Sequence, residues 1–184
     1  MKLETIASSV ESNIVHLMKK FKEKPAVFLS KSDVTCYLYY LLITDPFLGH
    51  SPTVRNLSPT VMRSKTFLVH AGLEVSVESQ NKQVALSIGE SQKDVELQTW
   101  DFPVGIDIEY NTKSLSTSQT QFAEDLEKLA KYKKGYLLWL NWGDSIADND
   151  LRQVEELVAK HNYVKLYYLD LYSKPVKTNV KKIA

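Results

Sequence analysis

The stretch that decides the fold reads Val104-Gly105-Ile106-Asp107-Ile108-Glu109-Tyr110. Its apolar residues alternate with Gly105, Asp107 and Glu109. Because successive side chains of a strand point to opposite faces, the alternation predicts a strand with both carboxylates on one face. We predict that residues 105–111 form this strand and that it lies between a hairpin strand and a strand at residues 136–142.

A period of two also marks the sequence before this stretch. Apolar residues alternate with more polar ones from 67 to 77, a polar turn follows at 79–82, and a second apolar run spans 84–88. Two such runs joined by a polar turn predict an antiparallel β-hairpin.

After the stretch, helical and strand patterns alternate. Residues 122–130 indicate a helix capped within 116–118, residues 136–140 a continuous apolar strand, residues 151–158 a second helix and residues 164–169 a last strand. Strands separated by helices imply parallel crossovers, and an apolar run suits a central strand covered on both faces. The sequence therefore predicts an α/β fold whose mixed β-sheet combines an antiparallel hairpin with parallel crossovers and has helices on both faces.

Two helices are expected at the N-terminal end. An apolar stripe at helical spacing runs from Leu3 to Phe21 and ends before Pro25. A second helix begins at the capping residue Ser30, with Asp33 at the reciprocal position, and stops at Pro46. Residues 44–64 contain three prolines and are predicted to form a long loop.

Length and composition favour one domain. The 184 residues are 43% hydrophobic, enough for one sizeable core. We predict a single domain over 1–184, with an N-terminal helix (1–24), a core (26–172) and a basic tail (173–184). Because the net charge is only +1, any site for a polyanion must be a local patch.

The cellular setting is inferred from what the sequence offers for disulfides and membranes. Its one cysteine, Cys36, lies in an apolar run, which excludes an intrachain disulfide and predicts a buried, inert thiol in a reducing compartment. No stretch approaches the roughly 18 apolar residues of a membrane span, and the N-terminus lacks a signal-peptide pattern. A cytoplasmic location without a membrane partner is therefore expected.

Asp107 and Glu109 are the most informative pair for function. Two carboxylates on one face of a strand repel each other when they are desolvated, so the pair needs a metal ion, a cationic partner or a raised pKa on one member. Hard divalent cations such as Mg²⁺ prefer oxygen ligands of this kind. The alternative is an ordinary solvated strand face.

The order of these elements resembles the PD-(D/E)XK nuclease superfamily, the restriction-endonuclease-like fold, over residues 26–172. In that pattern an acidic residue lies on the second hairpin strand, and an acidic-x-lysine triplet lies on the next strand. Asp107 looks like the acidic member of the triplet, and Glu109 stands where lysine is usual. The resemblance implies catalytic roles for Asp107 and Glu109, which would hold Mg²⁺ or Mn²⁺ at a scissile phosphate.

The sequence departs from this pattern in the hairpin. Ala85 stands where the resemblance would place a metal-binding aspartate, and a methyl group binds no cation. Near the second helix, where some members have a glutamate, the chain offers Lys31 or Asp33. The missing ligand would have to come from Glu74, which completes the expected metal set with Asp107 and Glu109, or from Glu90 or Asp101; a solvated strand-end charge is the alternative for each.

For nucleic acid, and for DNA in particular, the resemblance points to the helix after the triplet and to the long loop. The expected phosphate contacts are Lys128, Lys131, Lys134, Arg55 and Arg63. The alternative is a solvated helix face on which Glu124 and Glu127 form ion pairs. The last strand is rich in tyrosine, at Tyr167, Tyr168 and Tyr172, which is equally consistent with the surface of a homodimer.

Other site types lose support. The four histidines lie in separate elements without zinc-ligand spacing, and no phosphate-loop, dinucleotide or nucleophile-elbow motif occurs. Two hypotheses follow: a nucleic-acid-associated, divalent-metal-dependent endonuclease, or an inactive protein of the same fold that serves as a nucleic-acid-binding or protein-interaction module.

Overall fold

The structure is a computed structural model that describes residues 2–50, 52–55, 63–77, 80–89, 94–96, 101–111, 115–142 and 148–171. Within these ranges the helices are α1 (Leu3–Glu23), α2 (Lys31–Thr44), α3 (Leu115–Leu129) and α4 (Asp148–Ala159), with a 3-10 turn at Pro25–Val27. All four helices were predicted from the sequence.

The start of α2 confirms the predicted cap. The backbone N–H of Asp33 donates to Ser30 Oγ at 3.2 Å, and the Asp33 carboxylate accepts from the backbone N–H of Leu29 at 2.9 Å. The first bond satisfies a backbone donor that the first turn of a helix leaves free, and the second holds the residue that precedes the cap. They also fix the position of Lys31, the first residue of α2.

The described strands are β1 (Thr53–Arg55), β2 (Arg63–Lys65), β3 (Val69–Val77), β4 (Gln80–Ile88), β5 (Asp94–Glu96), β6 (Val104–Asn111), β7 (Lys134–Asn141) and β8 (Val164–Asp170). Five of them form a mixed sheet in the order β3-β4-β6-β7-β8. The β3–β4 and β4–β6 pairs are antiparallel, whereas β6, β7 and β8 are parallel. The predicted place of β6, between the hairpin and β7, is confirmed.

A second, small sheet has the order β2-β1-β5. Its strands β1 and β2 begin within residues 44–64, where the prolines predicted only a loop. Three-residue strands are too short to show a period of two, so the pattern gave no sign of them.

Each face of the five-stranded sheet carries its own hydrophobic layer. Leu138 and Leu140 of β7 pack with α1 and α2, whereas Leu137 and Trp139 pack with α3 and α4. Alternate residues of one strand thus enter two cores, which is why the run at 136–140 is apolar throughout. The α/β class, the mixed sheet and the helices on both faces agree with the prediction.

Gly105 has a packing role in β6. A Cβ atom at this position would lie 2.6 Å from the Tyr132 ring, whose hydroxyl is hydrogen-bonded to Ser87 Oγ at 2.7 Å in the buried interior. We expect Gly105→Ala to lower the free energy of unfolding by about 1–3 kcal/mol, because the ring must move and strain its bond to Ser87. Denaturant unfolding measures this, and an unchanged midpoint and slope would contradict it.

Candidate functional site

The site is built where the sheet opens between β4 and β6. These strands pair only through Leu86↔Ile106, Ser87↔Gly105 and Ile88↔Val104, although both strands continue beyond Leu86 and Ile106. From Ala85 back toward Gln80, β4 stays paired with β3. From Asp107 toward Asn111, β6 stays paired with β7. The divergence leaves a cleft of about 390 Å³, here called the hairpin cleft.

The helix α2, the β3–β4 hairpin, β6 and α3 line the hairpin cleft. One wall is the first two turns of α2, including Lys31, Thr35 and Cys36, and the other is the hairpin, including Gly72 and Ala85. Gly72 has a φ of 67°, and a Cβ built there would meet nothing closer than 4.0 Å. The innermost lining residues are Asp107 and Lys128, both of which are buried.

Lys128 joins two buried carboxylates at the inner end of the cleft. Its ammonium lies 2.5 Å from Asp107 Oδ2 and 2.5 Å from Asp125 Oδ1, and it donates to the carbonyl oxygen of Gln83 at 3.4 Å. Asp107 Oδ1 also accepts the backbone N–H of Ile108 at 2.9 Å. Short charge-assisted contacts of this kind are the condition under which buried ions are tolerated.

A second lysine, from α2, contacts the outer part of the same group. The ammonium of Lys31 lies 3.2 Å from Glu109 Oε1 and 3.8 Å from Asp107 Oδ1. Asp107 and Glu109 therefore lie on one face of β6, as predicted. We call Asp107, Glu109, Asp125, Lys31 and Lys128 together the lysine–carboxylate centre.

The pKa values of the centre follow from burial and from these contacts. Burial, and then a hydrogen bond with Glu109, raise the pKa of Asp125 to about 6, against the opposing charge of Lys128. Burial and the charge of Asp125 likewise raise the pKa of Asp107. Burial lowers the pKa of Lys128, but the charges of Asp107 and Asp125 outweigh it, so the net shift is upward and the ammonium stays charged.

The repulsion expected between Asp107 and Glu109 is thus relieved by cationic partners and by a raised pKa, two of the three solutions that the sequence allowed. Among the described residues, no group of three or more His, Cys, Asp or Glu is arranged to hold a metal ion. Ala85 and Asp107 both line the cleft, and a methyl group stands where the resemblance expects a ligand.

Lys128 does not lie where its assignment to a phosphate-contact surface would require. That assignment needed an exposed side chain, whereas the side chain is 8% exposed and its ammonium is engaged by Asp107 and Asp125. Helical spacing alone did not show whether Lys128 is exposed or buried, because residue 128 lies at the boundary of the apolar stripe of α3.

The other predicted residues are spread over several places. Lys131 is exposed after the end of α3, and Lys134 is half-buried at the start of β7. Arg55 and Arg63 are cross-strand partners in the β1–β2 pair. Glu74 is exposed on β3, where it is the cross-strand partner of Gln83. It does not lie at the position beside Asp107 and Glu109 that was expected of a third ligand.

Two candidates for a third ligand remain. Asp101 is exposed and forms an ion pair with Lys133, and Glu90 falls outside the described residues.

The third carboxylate is Asp125, which sequence reasoning missed. It is fully buried on α3. The available signal was its position three residues after Phe122 and one before Leu126, inside the apolar stripe. A carboxylate within such a stripe indicates a buried ionic partner, which here is Lys128, three residues further on.

The prediction for Cys36 is wrong. The thiol was predicted to be buried, but Cys36 is exposed and lines the hairpin cleft. The apolar run from 37 to 43 contains residues of both sides of α2, of which Leu38 and Leu42 are buried and Tyr40 is exposed. An uninterrupted apolar run on a helix does not tell which side faces the core.

Two tyrosines of β8 pack against other residues of the same chain. Tyr167 is buried in the α1–α2 core, and Tyr168 packs against Trp139 with ring centroids 4.9 Å apart. Tyr172 lies outside the described residues. The homodimer through this strand stays a prediction.

Over the ranges that the structure covers, no helix is both long and apolar enough to cross a membrane. Comparison with known proteins identifies no relative: no protein-family model, no curated protein and no solved structure matches this chain.

Proposed function

We propose that this chain is a nucleic-acid-associated protein of the PD-(D/E)XK type whose carboxylate centre is non-catalytic and is occupied by its own lysines. One observation carries the proposal: the ammonium of Lys128 lies 2.5 Å from both Asp107 and Asp125. A divalent cation bound by Asp107 would have to occupy the space of this ammonium and replace its positive charge.

Competition between the two cations supports the non-catalytic form. Lys128 is tethered and buried, so displacing it would leave an ammonium without its carboxylates in a poorly solvated place, which is strongly unfavourable. A magnesium site with protein ligands usually draws on more than one carboxylate, and Ala85 contributes none. The centre is then best suited to hold α2, α3 and β6 together.

Association with nucleic acid is supported by lysines near the centre. Lys31 stands at the cleft with a side chain that is 46% exposed, and Lys131 is exposed just after α3. In a chain of net charge +1, exposed lysines of this kind are the local charges that a polyanion would contact. Lysines placed in this way neutralise phosphates without reading base sequence.

The active endonuclease is the second candidate, because Asp125 brings a third carboxylate to Asp107 and Glu109. In that form Mg²⁺ or Mn²⁺ would bind Asp107 and Glu109 and would release Lys31 from them. Such a metal would polarise a phosphate and lower the pKa of an attacking water.

A cleavage assay combined with thermal melts separates the two candidates. We expect no cleavage of plasmid, duplex or branched DNA, and no rise in Tm when Mg²⁺ or Mn²⁺ at millimolar concentration replaces EDTA. A ligand that binds only the folded state must raise Tm by mass action. Cleavage that EDTA abolishes and Asp107→Asn removes would contradict the non-catalytic form.

For binding, we expect the double substitution Lys131→Glu and Lys134→Glu to weaken duplex DNA affinity. With two or three phosphate contacts, log K should fall against log salt with a slope of about −2 to −3, and the substitution should reduce this slope by about 1–2. Fluorescence anisotropy over a salt series measures both quantities.

The matched control is the double substitution Lys19→Glu and Lys160→Glu, which makes the same charge change at two exposed residues, on α1 and just after α4. If the two double variants lose affinity equally, net charge is responsible, and Lys131 and Lys134 are rejected as contact residues. If the wild type binds no nucleic acid at low salt, the proposed function fails.

A further inference from the structure

The hairpin cleft has the features of a small-ligand site. Its volume of about 390 Å³ falls at the lower end of the roughly 300–1,000 Å³ that ligand pockets occupy. A cavity of this size admits one compact molecule and is too small for a duplex. A ligand there would lie against the inner residues Asp107 and Lys128 without entering the core.

The walls favour a flat ligand. The hairpin side presents Gly72 and Ala85, whose side chains occupy little space between the diverging strands. Gln83, also in the lining, is exposed and carries a primary amide that both donates and accepts hydrogen bonds. Small walls with an amide at the edge suit a planar heterocycle with polar edges, such as a nucleobase.

The cleft also offers an anchor for an anion. Lys31 carries three N–H donors, and its ammonium contacts Glu109 at 3.2 Å while the side chain stays 46% exposed. It is therefore able to hold a phosphate on its solvent side without leaving the centre. Lys128 is engaged by Asp107 and Asp125 at the inner end of the cleft, so Lys31 is the cation that a ligand in the cleft can contact.

We infer that the hairpin cleft binds a single nucleotide, with the base between the α2 and hairpin walls and its phosphate on Lys31. The inference rests on the proposed function, which it makes more specific: the protein engages one unpaired nucleotide. Two sources share this chemistry, a free nucleoside monophosphate and an unpaired nucleotide of a single strand.

The single thiol of the chain provides a direct reporter of this site. Cys36 is exposed and lines the cleft, and it is the only cysteine of the sequence. Its rate of reaction with a chromogenic disulfide should fall in the presence of dAMP, or of a short oligothymidylate single strand, to an extent that saturates with ligand concentration. Inorganic phosphate alone should protect far less, because it does not fill the space between the walls.

Two variants test the assignment from opposite sides. Lys31→Met removes the anchor and should weaken nucleotide affinity by about tenfold, the worth of one charge-assisted contact. Ala85→Leu fills the cleft and should weaken it at least as much. Lys160→Met is the matched control at an exposed lysine outside the cleft lining, and it should leave affinity unchanged.

Protection by dAMP but not by the strand assigns the cleft to free nucleotides; protection by both supports the strand as a ligand too. Equal protection by inorganic phosphate, or wild-type affinity in Ala85→Leu, would overturn the inference. DNA binding seen by anisotropy without protection of Cys36 would overturn it and leave the proposed function intact. No binding of either kind would remove both.

Discussion

Replacement of Lys128 by methionine is expected to lower the free energy of unfolding by about 3–5 kcal/mol, the usual effect of removing one partner from a buried ion pair. The loss follows from geometry, because the ammonium is 2.5 Å from both Asp107 and Asp125, whose side chains are 2% and 0% exposed. Without it, two buried carboxylates face each other with only Lys31 nearby. Denaturant unfolding at pH 7 measures the change.

The control and the rescue use neighbouring residues. Lys131→Met, at an exposed lysine three residues further on, should change stability by no more than about 0.5 kcal/mol. Adding Asp125→Asn to Lys128→Met should recover about 1–3 kcal/mol, since one stranded charge is removed. A loss below about 1 kcal/mol in the single variant would show that Lys128 is not held between the carboxylates.

The second large effect concerns pH. Asp125 has an ordinary pKa of 3.8, which the folded structure raises to about 6. The folded state therefore holds a proton that the unfolded state releases, so the associated stability is fully present below pH 3.8 and is lost as pH rises through 6. Two pKa units correspond to about 3 kcal/mol. We expect wild type to lose about this much, relative to Asp125→Asn, between pH 4 and pH 7.5.

The comparison with Asp125→Asn removes the contribution of groups that Asp125 does not influence, such as His70. Burial lowers the pKa of His70, which makes stability fall as the pH drops below 6.5, the opposite direction. Taking the difference between two proteins that both contain His70 cancels this contribution.

The groups facing Asp125 are Asp107, Glu109 and Lys128, with Lys31 beyond Glu109. The raised pKa of Asp107 acts in the same direction as that of Asp125. The matched control is Glu127→Gln, at an exposed residue of the same helix, for which the change with pH should be smaller than for Asp125→Asn. A flat difference for Asp125→Asn would contradict the buried proton.

The sequence by itself determined the elements and their order. The period of two at 104–110 placed Asp107 and Glu109 on one face of a strand, and the alternation of helix and strand after residue 115 predicted the parallel part of the sheet. Ser30 and Asp33 predicted the start of α2. These features are local, because hydrophobic spacing, helix caps and helix-breaking residues act within a few residues. The amino-acid sequence alone therefore reveals them.

Only the tertiary structure decided what surrounds the two carboxylates. Lys31, Asp107 and Lys128 are far apart in sequence, and their meeting depends on how β4 and β6 separate after Leu86 and Ile106. Strand divergence leaves no mark on the hydrophobic pattern, because both strands keep their alternation where they part. The exposure of Cys36 and the burial of Lys128 depend in the same way on which side of each helix the sheet covers. Long-range packing sets the partners of a residue. For this reason the sequence predicted the carboxylate pair but not the lysines that contact it.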